Sequence, residues 1–539
     1  MIFSVVNKEV KMKKKEINKN TIVICIFCMI YFLVCLILEI RCWIHVDIPK
    51  ELREGSMMAV AHEFALGKNP YLMPEDGSMP TFYMYGFLSP MITGELSRIT
   101  GASVYIIATV CYALYKISAC ILIALGVYKK YKRSELAFLS ACLLYTCFWR
   151  YVVYGGIFPD ALGLCLSILL YYLMISSIEN KKYHPILMAL IVTLLFYTKV
   201  YFVFIFIGTA LFLFMYKKKE CIKFILAGAI LCIVTIPIIN RLFPLYFTES
   251  VLFMSGSPGY NILYSFKQLV ALGKYFPVPI LVIAGYLVYK AKLLVKEKVS
   301  YDSVISFPII IFLSVLPVNI YFGGNDGTWL TYYLQLLMPT VILLFAEAYD
   351  YVMSDNKVLV KQFIKGKNKW QAVVSSIICL SILCPMLPYS ISLYFKNSQV
   401  VEWSELYKEM DRIRESNDSD QLLVLGSDLS FYCTANDIDT LDDGECIYIS
   451  QEVMDKWNLD YKLQRLFPYT KEIFDTFKDE IKTIREQIIG GEPDYIIIDD
   501  NTYEFDIDEG IFSAYELEKS YPITVGSFDR EVKIYKKKY

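Results

Sequence analysis

The stretch His45–Gly101 reads HVDIPKELREGSMMAVAHEFALGKNPYLMPEDGSMPTFYMYGFLSPMITGELSRITG and follows directly on an apolar run, Thr21–Ile44. Carboxylates come first, at Asp47, Glu51 and Glu54, with Lys50 and Arg53 beside them. A short amphipathic segment follows and stops at Gly67; Asn69-Pro70-Tyr71 then opens a Pro-rich, aromatic re-entry through Pro80, Tyr83, Tyr85 and Pro90. Structureless connections beyond about 12–15 residues are uncommon unless they are functional. The connection 45–103 is therefore expected to carry a site. On a helix Glu54, Met58 and His62 share one face, and the segment around them is apolar enough to lie at a membrane interface.

The rest of the chain explains why such a loop would stand out. Of 539 residues, 56% are hydrophobic and 15% aromatic, with mean hydropathy +0.44, above the roughly 45–50% apolar content of soluble domains. Apolar runs of about 18 residues or more read as membrane spans. They are expected near 21–44, 104–127, 135–154, 159–177, 184–197, 200–215, 222–239, 275–291, 303–321, 329–351 and 372–395, about eleven in all. The basic N-terminus ahead of a long, uncleaved apolar run implies a retained helix rather than a signal peptide. Of the 15 cysteines, all but Cys433 and Cys446 lie within or beside apolar runs, where cysteine acts as a small hydrophobe. No CxxC or His/Cys cluster suggests a structural zinc site, and nothing points to nucleic acid.

Basic clusters recur at alternate connections: Lys129–Arg133, Lys181–Lys182, Lys217–Lys219, Lys290–Lys298 and Lys357–Lys369. The positive-inside rule then puts the N-terminus in the cytoplasm of a multi-pass plasma-membrane protein. Because Lys181–Lys182 and Lys217–Lys219 must share a side, 184–215 is expected to cross twice, with Lys199 at the outer turn. The unusual residues collect on the outer connections: Glu54 in the first, Asp160 after Pro159 in the second, Glu249 in the third (241–270), and Gly323-Gly324-Asn325 before Tyr332 in the fourth. Bland readings stand beside each: Asp160 as a helix N-cap, Lys199 as a snorkelling lysine, Asn-Asp-Gly as turn chemistry.

In their order and common side these features resemble the GT-C superfamily of polytopic glycosyltransferases, the group holding protein O-mannosyltransferases and aminoarabinose transferases. The matching residues are Arg53-Glu54-Gly55, then Ala65, Gly67, Pro70 and Tyr71, then the Pro80–Pro90 re-entry, Pro159-Asp160-Ala161-Leu162, Lys199-Val200-Tyr201-Phe202 and Gly323-Gly324-Asn325 with Tyr332 and Tyr333. Phe158 stands where many relatives have an arginine, leaving Arg150 as the nearest basic residue. The first loop lacks a paired Asp-Glu, so Asp47, Glu51 and Glu54 compete for the base.

The resemblance implies transfer of a sugar from a polyprenyl-phosphate donor to an extracytoplasmic glycan, lipid or protein. Glu54 would be the general base, with Asp47 second. Lys199, with Arg150 in reserve, would meet the leaving phosphate. Asp160 would orient substrate or help hold a divalent ion (Mg or Mn), a cofactor the resemblance leaves open. His62, Tyr83, Tyr85, Asn325 and Tyr332 complete the expected substrate-binding set. The alternatives are a transporter of lipid-linked sugars and a non-catalytic scaffold. A transporter should show ionisable residues at mid-membrane or repeated halves, and the acids here are expected at helix ends.

Residues 1–20 read as a cytoplasmic tail, 21–398 as the membrane module and 399–539 as an extracytoplasmic α/β accessory domain. In the last, 422–428 and 494–500 read as strands; Trp403–Ile413 and Ile473–Ile488 read as amphipathic helices, the second closing at Gly490-Gly491.

Overall fold

The computed structural model describes residues 19–50, 54–75, 77–151, 159–253, 261–295, 304–325, 334–353, 397–416, 422–426, 429–436, 438, 467–500, 510–525 and 528–538. The first helix, α1 (Lys19–Ile44), leads into α2 (Glu54–Ala65) and α3 (Leu88–Thr100) of the long connection. Next come α4 (Val104–Tyr131), α5 (Ser134–Tyr151), α6 (Pro159–Asn180) and α7 (Pro185–Thr198). Past a 3₁₀ turn at Val200–Phe204 lie α8 (Ile205–Tyr216) and α9 (Lys218–Leu242), then a π-helical turn, Thr248–Leu252. The bundle continues as α10 (Ile262–Tyr275), α11 (Pro277–Val295), α12 (Phe307–Asn325) and α13 (Leu334–Met353). The C-terminal part contains α14 (Asn397–Ser416), β1 (Leu422–Leu425), α15 (Ser430–Ala435), α16 (Thr470–Gly490), β2 (Tyr495–Asp499), β3 (Tyr515–Val525) and β4 (Phe528–Lys537).

Among the described residues, α4, α6, α9, α11 and Phe307–Gly324 of α12 are long and apolar enough to cross a bilayer. Shorter apolar stretches at Ile24–Ile37, Ser134–Thr146, Pro185–Thr198 and Val200–Tyr216 join them. The chain is a multi-pass membrane protein. The expected span 372–395 lies outside the described residues.

Helix ends follow local chemistry. Ser103 caps α4 by accepting from the Tyr105 amide at 3.3 Å, Pro185 opens α7, and Gly101 closes α3 at φ 69°. The chain reverses at Lys199, whose backbone is extended (φ −166°, ψ 124°) between α7 and the 3₁₀ turn. Helices α7 and α8 run antiparallel, since the Lys217 ammonium at the end of α8 lies 5.8 Å from the Tyr183 ring just before α7. Both flanks are therefore at one end of the bundle, as the charge parity requires.

Two expectations need correction. The third connection is not a loop up to Val270: α10 occupies Ile262–Tyr275 and meets α11 at Phe276-Pro277. Lys267, Gln268 and Lys274 dilute its hydropathy, yet Ile262, Leu263, Phe266, Leu269 and Val270 recur with helical period. All five are exposed, while Ser265 on the other side donates to the Ile320 carbonyl of α12 at 2.9 Å. Ionisable groups also do not keep to helix ends. Lys116, the thirteenth residue of α4 and about 18 Å along it, donates to both Glu39 carboxylate oxygens at 2.7 and 2.8 Å. Each residue is 1% exposed. The Tyr145 hydroxyl also donates to Glu39, and the Lys116 ammonium lies 3.7 Å from the Tyr145 ring centre. Three helices are thus fastened at one buried charge, a placement tolerated in a membrane only when the charges are satisfied within the protein.

The sheet has order β1-β2-β4-β3. The expected strands β1 and β2 pair in parallel, Leu422 opposite Tyr495, and α16 ends at Gly491 with φ 65°. The β3–β4 hairpin escapes a period-two reading because residues Glu516–Ser520 of β3 are exposed in succession. Trp403 of α14 is buried and donates to the Thr524 carbonyl of β3 at 3.1 Å. This part rests on the long connection and the start of α4: the Tyr105 hydroxyl donates to the Phe431 carbonyl at 2.7 Å, and Glu480 accepts from the Met79 amide at 3.2 Å.

Candidate active site

The long connection is built by close approach. A Cβ at Gly94 of α3 would meet the Ala61 carbonyl and the Phe64 side chain of α2, and one at Gly86 would meet the carbonyls of Tyr197 and Thr198. Glycine lets helix α3 seat on α2 and lets the aromatic re-entry cross the end of α7. Gly94→Val is therefore expected to prevent folding, measured as loss of the monodisperse peak in detergent; a normal peak would mean that α2 and α3 separate at no cost.

Glu54 opens α2 and has no exposed surface. One carboxylate oxygen accepts from the Lys50 amide at 2.6 Å; the Lys50 ammonium reaches the carbonyls of His45 at 2.9 Å and Ile48 at 3.0 Å. Lys50 thus binds Glu54 through its backbone amide, while its ammonium is taken up by the backbone after α1. Helix α2 does not lie open at an interface. Gly55, Ser56, Met57, Met58, Val60, Ala61 and Phe64 are buried with Glu54, because α3 and α15 both pack on it. Asp47, the second base candidate, is exposed, and its backbone carbonyl accepts from Tyr407 of α14 at 3.2 Å.

A second cluster forms where the starts of α6 and α13 meet the Lys199 turn. Asp160 and Lys199 are 0% and 1% exposed and lie 3.0 and 3.2 Å apart through both carboxylate oxygens. The Tyr201 hydroxyl and the Gln335 amide also donate to Asp160, and Gln335 touches the Tyr201 hydroxyl. Above the ammonium lies the Tyr85 ring, its centre 3.8 Å away, a cation–π distance. Asp160 is therefore more than a helix cap, and Lys199 does not snorkel outward.

The two tyrosines expected to stack on sugar are inside: Tyr83 is 0% and Tyr85 3% exposed. Their segment is held by the π-helical turn. Glu249, itself buried, accepts from the Tyr83 amide at 3.3 Å, and Ser250 donates to the Tyr85 carbonyl at 2.7 Å. Glu249 and the Lys199-Val200-Tyr201-Phe202 run stand out in the sequence, but no role for Glu249 or Tyr201 follows from it, and Ser250 and Gln335 do not stand out at all. The Lys199-x-Tyr201 spacing alone offered a signal. His62 stands apart from this cluster, in a cleft with Arg98. The side chains of Arg150 and Asn325, and Tyr332 altogether, lie outside the described residues.

Among the described residues no three His, Cys, Asp or Glu side chains converge as a metal-binding group. Asp160, the expected ligand, has its oxygens taken by a lysine, a phenol and an amide. As placed here, Asp160 does not fit a divalent ion.

The sequence matches no protein-family profile and no curated protein. The fold does have relatives. The apo aminoarabinose transferase ArnT from Cupriavidus metallidurans superposes with TM-score 0.54 at 11% identity, over 94% of this chain and 97% of that one. Its complex with undecaprenyl phosphate gives TM-score 0.50 at 10% identity, over 94% and 98%. The fold is that of the GT-C glycosyltransferases. An archaeal oligosaccharyltransferase, AglB from Archaeoglobus fulgidus, overlaps at TM-score 0.48 and 10% identity, over 94% of this chain and 74% of that one.

Proposed function

We propose that this protein is a membrane glycosyltransferase that moves a sugar from a polyprenyl-phosphate donor to a hydroxyl acceptor outside the cytoplasm. The observation that carries the reading is that the long connection both buries a carboxylate, Glu54, and lays its Tyr85 ring over a buried cation, Lys199. Basic connections at the opposite end support an N-terminus in the cytoplasm, and residues 399–539 are read as an accessory domain on the acceptor side. The undecaprenyl phosphate bound to ArnT supports the same donor class here.

In this reading Glu54 takes the acceptor proton as its oxygen attacks the anomeric carbon. Glu54 has no exposed surface, so an acceptor reaches it only when the residues packed around it move. Lys199 meets the phosphate that leaves, where preformed positive charge has its largest effect. Asp160, saturated by Lys199, Tyr201 and Gln335, acts as the positioning residue of that cation rather than as a catalytic acid. Tyr85 holds the ammonium from its other side.

The buried Glu39–Lys116 pair is the one observation that favours transport. It closes on itself, each charge satisfied by the other and by Tyr145, and we read it as a fastening of α1, α4 and α5. Purified protein in proteoliposomes, given radiolabelled polyprenyl-phosphate sugars, separates the two. Sugar release or transfer supports the enzyme; donor crossing the bilayer intact, with no transfer, sinks it.

A further inference from the structure

A cleft of about 360 Å³ opens between the end of α2, the α3–α4 junction and α15. His62, Arg98, Ser97, Ser103, Tyr105 and Thr434 supply its polar lining, and among the described residues no carboxylate joins them. Its size lies within the roughly 300–1,000 Å³ of small-molecule sites. Three segments far apart in sequence make its walls, and they are fixed to one another. Tyr105 donates to the Phe431 carbonyl at 2.7 Å, and their rings stand 4.5 Å apart.

The lining has a sign. Arg98 gives one nitrogen to Glu95 at 2.5 Å, in an exposed i,i+3 contact of the kind that contributes little. A guanidinium carries five N–H donors in a planar fork suited to carboxylate and phosphate, and Arg98 also lines the cleft. His62 adds an imidazole and Ser103 a hydroxyl, whereas the Ser97 and Thr434 hydroxyls give their protons to the Ala102 and Ser430 carbonyls at 2.6 and 2.9 Å. The site is also aligned with the proposed chemistry. Glu54 and His62 lie eight residues apart on α2, about 12 Å along its axis.

We propose that this cleft binds an anionic group of the acceptor, a phosphate or a carboxylate, and so holds the acceptor chain while one of its hydroxyls engages Glu54. Assignment to the acceptor rests on the transferase reading; the preference of the cleft for anions does not.

The test uses the full chain in phosphatidylcholine nanodiscs, titrated calorimetrically at low salt with glycerol 3-phosphate and, as control, glycerol. Glycerol 3-phosphate is expected to bind and glycerol not. Arg98→Gln should weaken binding at least tenfold. Ala435→Asp, which puts a carboxylate in the cleft without touching Arg98, should do the same. Arg98 is 51% exposed and Ala435 is exposed, so both variants should keep the wild-type melting temperature. Equal binding by wild type and both variants, equal binding of glycerol, or no binding of glycerol 3-phosphate overturns the proposal. Nanodiscs containing phosphatidylglycerol separate the two sources of anion. Unchanged affinity supports a soluble acceptor, whereas loss of glycerol 3-phosphate binding makes a lipid headgroup the occupant and overturns the acceptor assignment. Wild type that binds but transfers no sugar would sink the transferase reading alone; wild type that transfers, with binding insensitive to both variants, would sink the cleft alone.

Discussion

Glu54→Gln is expected to cut sugar transfer by about 10²–10⁴-fold, the usual contribution of a positioned general base, with the protein still folded. The structure separates the two effects. The Glu54 oxygen that accepts from the Lys50 amide at 2.6 Å has a counterpart in the glutamine carbonyl, so the turn keeps its hydrogen bond. What is lost is the capacity to take a proton. Initial rates with a radiolabelled polyprenyl-phosphate sugar in proteoliposomes measure it, beside a thermal melt of both proteins. A rate within threefold of wild type would remove Glu54 from the base role. The role would then pass to Asp47, which is exposed and stands on the same connection.

That Glu54 could be singled out from sequence follows from local causes. It sits directly after a span, ahead of a helix and a glycine stop, and each of those is a short-range signal. The Lys199 turn was legible for a different reason, since two basic flanks force an even number of crossings. Long-range geometry was not legible. Nothing local to Tyr85 says that its ring covers Lys199, because that contact depends on Ser250 and Glu249, about 165 residues further on. Gln335 reads as an ordinary polar residue at a helix start until the fold brings it to Asp160, 175 residues away. Lys116 is a further case of long-range geometry. One lysine inside an apolar run reads as a tolerated interruption, and only its pairing with Glu39 explains why it is buried. In the C-terminal part the buried strand β2 was legible as an apolar run, whereas β3, exposed at five successive positions, presents no such run.

Lys199→Met alone is expected to destabilise the protein by about 3–5 kcal/mol, the usual effect of removing one member of a buried ion pair. The reason is the carboxylate left behind. Asp160 is fully buried, and Tyr201 and Gln335 supply hydrogen bonds but no positive charge. Asp160→Asn should cost a similar amount by stranding the ammonium against the Tyr85 ring. The double variant removes both charges and is expected to recover most of the loss, since a buried pair replaced as a unit is often nearly neutral in stability. Melting temperatures of the four proteins in one detergent give the coupling directly. Additive losses would show that the two charges do not act as a pair. Activity supplies the second axis, because a purely structural pair predicts that the double variant, once stable, transfers sugar again. If Lys199 meets the leaving phosphate, the double variant stays inactive although it is folded, and kcat falls more than donor KM rises. Asp160→Asn, which keeps the cation but loosens its position, should then fall between wild type and the double variant, at a temperature where all are folded. Recovery of activity in the double variant would return Lys199 to a structural role and leave the leaving phosphate to a different cation.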